Sequence, residues 1–153
     1  MTTTPSYTLR ILDTRDDRTA PLFAAPECQE LFQIYATYYA EHGFTPPWVA
    51  YWVLRDGQIV GTAGFVRAPQ DGRVEIAYWT FAFYEGQGIA TAACGLLLAI
   101  AREADASLIV TAKTAPEQNA STRILEQHGF RQTEVVQDHE IGDAWLWELP
   151  ITR

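Results

Sequence analysis

The strongest constraint on this chain is a change of hydrophobic period across Tyr84–Thr91. Before it, apolar residues fall in short runs of strand length. After it, Ile89, Ala92, Ala93, Leu96, Leu97 and Ile100 recur at helical spacing, and charge returns only at Arg102 and Glu103. Between the two lies Glu85-Gly86-Gln87-Gly88. Paired glycines permit backbone angles that a Cβ forbids and let a ligand approach closely. A helix starting there adds unpaired N–H groups and the positive end of its dipole, so a diphosphate is a natural guest. On the glycines alone, an empty strand-to-helix turn reads equally well.

The flanking segments set the fold class. Val49–Leu54 and Ile59–Val66 bracket Arg55-Asp56-Gly57-Gln58, and Val74–Phe81 follows Asp71-Gly72. Aspartyl-glycine turns supply the positive φ angles of tight hairpins, so these segments predict an antiparallel meander. Tyr7–Leu12 predicts a first strand, and Asp13–Pro26 a loop with part of a short helix. Leu31, Ile34, Tyr35 and Tyr38 mark a helix over Glu27–Tyr39, ended by Gly43 and Pro46-Pro47. Further on come a short strand at Leu108–Thr111 and a helix at Asn119–His128, with Ile124 and Leu125 inward and Gly129 as its left-handed C′ residue. Arg131–Val136 and Ala144–Leu149 predict two last strands around Ile141-Gly142-Asp143. The expectation is one α/β domain over residues 1–153, a mixed, mainly antiparallel sheet of six or seven strands flanked by helices. One right-handed crossover falls near the middle.

This order of elements excludes the usual nucleotide motifs. A P-loop needs Gly-Lys-Ser/Thr where the chain has Gly88-Ile89-Ala90. A dinucleotide fingerprint needs a third glycine at Thr91 and a place after the first strand of a parallel sheet. Composition narrows the partners further. Net charge is -8 with only 11 Lys and Arg, not gathered into a patch, so no nucleic-acid partner is expected. An acidic surface favours encounter with a cationic amine, although solubility alone also accounts for it. Met1–Ser6 is polar, which predicts no signal peptide. The longest apolar run, Gly88–Ala101, is shorter than the roughly 20 residues a bilayer requires, so no membrane partner is expected. Two cysteines, Cys28 and Cys94, lack metal-ligand spacing and fit a reducing, cytoplasmic setting without a metal.

Three segments in this order resemble the GNAT superfamily of N-acetyltransferases. Glu85-Gly86-Gln87-Gly88-Ile89-Ala90 is similar to its coenzyme A signature, Gln/Arg-x-x-Gly-x-Gly/Ala, with Glu85 in place of Gln or Arg. Pro116-Glu117-Gln118-Asn119-Ala120-Ser121, leading to Leu125-Glu126-Gln127-His128-Gly129-Phe130, resembles an element of the branch related to ribosomal-protein N-terminal acetyltransferases. Val74–Trp79 is similar to that branch's fourth strand. The resemblance covers about Gln58 to Leu149. It implies acetyl-CoA as cosubstrate, held by Tyr78, Trp79 and Thr80 of the fourth strand, by Glu85, Gly86, Gln87, Gly88, Ile89, Ala90 and Thr91, and by Gln118 or Asn119. Glu85 is expected to face solvent, because a carboxylate repels a diphosphate.

The resemblance also implies the chemistry. An amine attacks the thioester directly, and the oxyanion takes a backbone N–H from a bulged fourth strand. Glu75, a charge inside an apolar strand, is the candidate base, with a salt-bridged surface residue as the alternative. The position where many relatives carry a tyrosine acid is Leu125, and Ser121 is the local hydroxyl that replaces it; capping of the first helical turn is its other reading. The aromatics between Phe32 and Trp52 belong to the core or to an acceptor pocket. His42 is the histidine nearest that region, and His128 complements a helix dipole. Transfer of acetyl to a primary amine, on a protein N-terminus or a small molecule, is the expected function. A non-catalytic acyl-CoA-binding module is the alternative. Trp145 and Trp147 alternate on the last strand and offer an apolar face for a homodimer.

Overall fold

The computed structural model describes residues 4–151, so Met1–Thr3 of the polar start lie outside the described residues. Seven strands form one sheet: β1 (Tyr7–Ile11), β2 (Ala50–Arg55), β3 (Gln58–Phe65), β4 (Arg73–Thr80), β5 (Ile109–Thr114), β6 (Arg131–Asp138) and β7 (Gly142–Pro150). Their spatial order is β1-β2-β3-β4-β5-β7-β6. Three helices join them: α1 (Pro26–His42), α2 (Ile89–Ala104) and α3 (Ala120–Gln127). Both aspartyl-glycine turns form as their residues dictate. Asp56 and Gly57 have φ of 50° and 82°, Asp71 and Gly72 of 52° and 74°. Two successive positive φ angles match the twist of the strands they join. The meander β1 to β4 is antiparallel throughout.

After β4 the chain crosses over through α2 and returns as β5, parallel to β4. The first half is therefore antiparallel, with one parallel seam near the middle. β7 inserts between β5 and β6, pairing antiparallel with both.

The sheet carries a core on each face. On one, Ile89, Ala93, Cys94, Leu97, Leu98 and Ala101 of α2 and Leu125 of α3 pack on Val53, Val60, Val74, Ile76 and Val110. On the other, Phe23, Cys28, Leu31 and Phe32 pack on Ala50, Trp52, Ile59 and Phe81. Phe23 and Phe32 meet edge to face at 4.9 Å between ring centres, and Phe32 meets Trp52 at 5.4 Å. Such contacts add roughly 0.5–1.5 kcal/mol each beyond area burial.

Three expectations need correction. α1 runs a turn past Tyr39 to His42, where Gly43 ends it at φ 87°. Within it Ile34 points outward at 50% exposure, because the buried stripe passes through Cys28, Leu31 and Phe32 instead. Trp147 does not offer an apolar face. It is 3% exposed, and its Nε1 donates to Thr114 Oγ1 at 2.9 Å, while Trp145 is half-buried against the same core. Gly129 is left-handed as expected (φ 92°). Its N–H donates to Glu126 O and that of Phe130 to Leu125 O, a complete Schellman ending for α3.

Candidate active site

The site follows from where β4 and β5 part. They pair only over Arg73–Glu75 and Ile109–Thr111. Beyond Glu75, β4 keeps its full register with β3, Ile76 opposite Phe65 and Thr80 opposite Gly61. The β3–β4 register carries no shift, so the expected bulge of the fourth strand is absent; β2 and β3 shift instead, at Val53/Leu54. The opening comes from separation of the parallel pair. Val66 N donates to Glu75 O and Phe81 N to Val60 O, so Glu75, Ala77, Trp79 and Phe81 turn their backbone groups to β3. By the alternation of an antiparallel ladder, Ile76, Tyr78 and Thr80 turn theirs into the gap.

The glycine turn stands at the mouth of this gap. Gly86 and Gly88 have φ of 77° and 83°, and Gly88 is the N-cap of α2. Among the described residues, none of the backbone N–H groups from Gly86 to Thr91 donates to a backbone carbonyl. Nothing lies within 4 Å of a Cβ added to either glycine, so φ and not space demands glycine there. Glu85 is exposed, as is Gln87. A cleft of about 410 Å³ is lined by Tyr78, Trp79, Thr80, Glu85, Gly86, Gly88, Ile89, Ala90 and Thr91 from this side, and by Ala120, Ser121 and Ile124 of α3. Of the expected coenzyme contacts on β4 and the turn, only Gln87 stands outside this wall.

A second cleft of about 310 Å³ adjoins it, sharing Tyr78 and Ser121 and adding Glu75, Ala77, Lys113 and Asn119. The two candidate catalytic residues therefore face one hollow. The capping role considered for Ser121 belongs to others. Asn119 Oδ1 accepts from Thr122 N at 3.1 Å, and Asn119 N donates to Thr122 Oγ1 at 2.9 Å, a reciprocal capping box. Gln118 Oε1 accepts from the buried Thr122 hydroxyl at 3.1 Å. Asn119 lines this second cleft, whereas Gln118, exposed and turned to Thr122, lines neither. Ser121, one turn position earlier than Thr122, is exposed and makes no side-chain hydrogen bond among the described residues.

Glu75 is half-buried, its Oε1 3.6 Å from Lys113 Nζ. Burial pushes the Tyr78 hydroxyl up from the ordinary tyrosine value, so the ring enters the site uncharged. His42 stacks on Tyr38 at 4.4 Å between ring centres and lies 3.8 Å from Glu41, away from the gap. His128 turns Nδ1 to Ile124 O at 2.9 Å, at the C-terminus of α3. No group of His, Cys, Asp and Glu able to hold a metal occurs among the described residues.

Sequence reasoning missed two charged neighbours. Lys113 is brought to Glu75 by the parallel register alone. Arg55, at the β2–β3 hairpin, donates to Gln87 Oε1 at 2.7 Å and lies over the Tyr84 ring at 5.3 Å. Gln58 in turn donates to the Tyr84 hydroxyl at 2.8 Å. A cation thus stands beside a turn whose only charge is Glu85. The hairpin residues carry no local signal for this, since the contact spans 32 positions.

A sheet opened along its one parallel seam, with free amides and a helix N-terminus at the mouth and a carboxylate deeper in, suits group transfer from a phosphate-bearing donor. Residues 8–131 match the acetyltransferase (GNAT) domain, and the chain belongs to that family. By that family it is an N-acetyltransferase. The fold is similar to that of a ribosomal L7/L12 α-N-protein acetyltransferase (TM-score 0.70, 15% identity, 96% of this chain and 94% of that one). It is also similar to that of the ribosomal-protein-S18-alanine N-acetyltransferase from Escherichia coli (TM-score 0.68, 14% identity, 97% and 96%). The ribosomal-protein-S5-alanine acetyltransferase from Vibrio fischeri follows (TM-score 0.67, 14% identity, 95% and 93%). No curated protein matches by sequence. No helix among the described residues is long and apolar enough to cross a membrane.

Proposed function

We propose that this protein transfers the acetyl group of acetyl-CoA to a primary amine. One observation carries the reading: Tyr78 lines both the cleft of the glycine turn and the cleft that holds Glu75 and Ser121. A donor held at the turn by its diphosphate has its thioester end directed along the gap, toward the carboxylate. The N–H groups from Gly86 to Thr91 take the diphosphate, and the inward backbone groups of Ile76, Tyr78 and Thr80 take the arm. Of Gln118 and Asn119, the cleft lining favours Asn119 as the coenzyme contact.

An aliphatic ammonium, with a pKa of roughly 8 to 10, must lose a proton before it attacks. Glu75 accepts that proton, directly or through water. The amine nitrogen then bonds to the carbonyl carbon, and the oxyanion is met by the Tyr78 N–H. The nitrogen gives up its second proton to solvent, the C–S bond breaks, the thiolate receives a proton from the Ser121 hydroxyl, and the serine recovers one from solvent. Positioning of the two substrates supplies much of the rate.

Calorimetry with acetyl-CoA, followed by thiol release over a panel of amines, tests the assignment. Binding with release for at least one amine is expected. Binding without release for any amine leaves a non-catalytic acyl-CoA-binding module, and absence of binding removes both.

A further inference from the structure

Beneath α1 the sheet is hollow for a reason legible in its cross-strand rows. Ala50 of β2, Gly64 of β3 and Ala77 of β4 lie side by side, flanked by the row Trp52, Thr62 and Trp79. Three small residues in a row leave room that larger neighbours would fill. Gly64 is obligatory in that floor, because an added Cβ would stand 2.7 Å from Ala50 Cα and from Val49 O. The result is a trough of about 270 Å³, roofed by Ile34, Tyr35 and Tyr38. It shares Ala77 and Tyr78 with the cleft of Glu75, so an amine at its inner end reaches the proposed base.

What the trough offers is restricted. None of its lining residues carries a charge. Of the two roof tyrosines, Tyr38 turns its hydroxyl back onto the backbone, donating to Val66 O, while that of Tyr35 makes no hydrogen bond among the described residues. The floor strands β2 and β3 are paired on both sides, and the gap-facing backbone groups of β4, at Ile76, Tyr78 and Thr80, are those assigned to the coenzyme. Side-chain polar groups without a hydrogen bond among the described residues remain on Tyr35, Tyr78, Trp79 and Thr62. Thr62 is 7% exposed and has no side-chain hydrogen bond among the described residues.

Resting on the acetyl-transfer reading above, we infer that the acceptor is a compact amine with an aromatic or branched aliphatic body. Rings and small apolar residues hold the body, and the Thr62 hydroxyl, set in the floor, makes a directed contact. A polyamine needs carboxylates for its further charges, and this trough has none. A peptide N-terminus needs free main-chain partners; those of β2 and β3 are paired, and those of β4 at the gap are assigned to the coenzyme. The acidic protein draws the cation in, and aromatic faces tolerate it on the way.

The experiment compares phenethylamine and isopentylamine with spermidine and an alanine-led tetrapeptide, at saturating acetyl-CoA, by thiol release. The apolar amines are expected to exceed the other two at least tenfold in kcat/KM. Ala77→Leu, which fills the floor, should raise the phenethylamine KM at least tenfold with acetyl-CoA affinity by calorimetry unchanged. Thr62→Val should raise it severalfold. Equal or better use of spermidine or the peptide overturns the inference and leaves acetyl transfer standing, as does an Ala77→Leu variant with unchanged KM. Coenzyme binding with no release for either apolar amine also overturns it. Failure to bind acetyl-CoA defeats the acetyl-transfer reading itself.

Discussion

Glu75, at the last paired position of β4, and Lys113, two residues beyond its partner Thr111, meet where the β4–β5 seam parts, carboxylate oxygen to ammonium nitrogen at 3.6 Å. The pair is partly exposed, and such pairs contribute about 0–1 kcal/mol. A purely structural role therefore predicts a small stability loss and no kinetic effect for Glu75→Gln. The proposed base predicts the opposite balance. We expect kcat to fall about 10²- to 10⁴-fold, with acetyl-CoA Kd and the urea midpoint nearly unchanged. Stopped-flow thiol release beside calorimetry separates the two.

Gly61 and Gly88 separate two reasons for glycine. Around Gly88 there is open space, and only its φ of 83° resists a side chain, so Gly88→Ala costs about 1–2 kcal/mol and weakens acetyl-CoA binding. At Gly61 an added Cβ would stand 2.4 Å from Trp79 O, which forces β3 and β4 apart. Gly61→Ala should destabilise by about 1–3 kcal/mol or prevent folding. Thermal unfolding measured with and without acetyl-CoA checks both. Ligand should rescue Gly61→Ala more than Gly88→Ala.

Arg55 gives the glycine turn a cation that its own residues lack, 2.7 Å from Gln87 Oε1. An exposed charge of this kind is worth about 0.2–1 kcal/mol. Arg55→Met should therefore weaken acetyl-CoA binding by roughly two- to fivefold at low salt, and the difference should shrink as salt rises. An equal loss at every ionic strength would mean that Arg55 acts by packing on Tyr84.

Both thiols are buried, and burial pushes Cys28 up to about 11 and Cys94 up to about 12 from an ordinary 9.0. Below pH 9 the thiols are protonated in folded and unfolded chains alike, and their contribution to stability is complete. Above it the unfolded chain ionises first, so stability falls as pH rises from about 9 toward 11–12. The urea midpoint should drop between pH 8 and pH 11, and less so in Cys94→Ala. Ellman's reagent at pH 8 should find no thiol in the native protein and both in denaturant.

Much of this architecture was legible from local rules. Asp56-Gly57 and Asp71-Gly72 demand positive φ angles within two residues, and Gly129 closes α3 for the same reason. The period change at Gly88 located both the parallel crossover and the mouth of the cleft, because Gly88 begins the helix that the strand runs into. Glu75 stood out in sequence as a charge in an apolar strand, and the roles proposed for it and Ser121 came from likeness to a family; that they share a cleft needed the fold.

Properties set by register were not legible. Lys113 meets Glu75 because β5 lies parallel to β4 at one offset. Trp147 is core and not surface because β7 inserts between β5 and β6. The small-residue floor of Ala50, Gly64 and Ala77 exists only when three strands align. Backbone dihedral preference acts within a few residues, so the sequence by itself determined the turns, caps and order of elements. Which side chains share a hollow depends on pairing between residues far apart in the chain, and that only the tertiary structure decided.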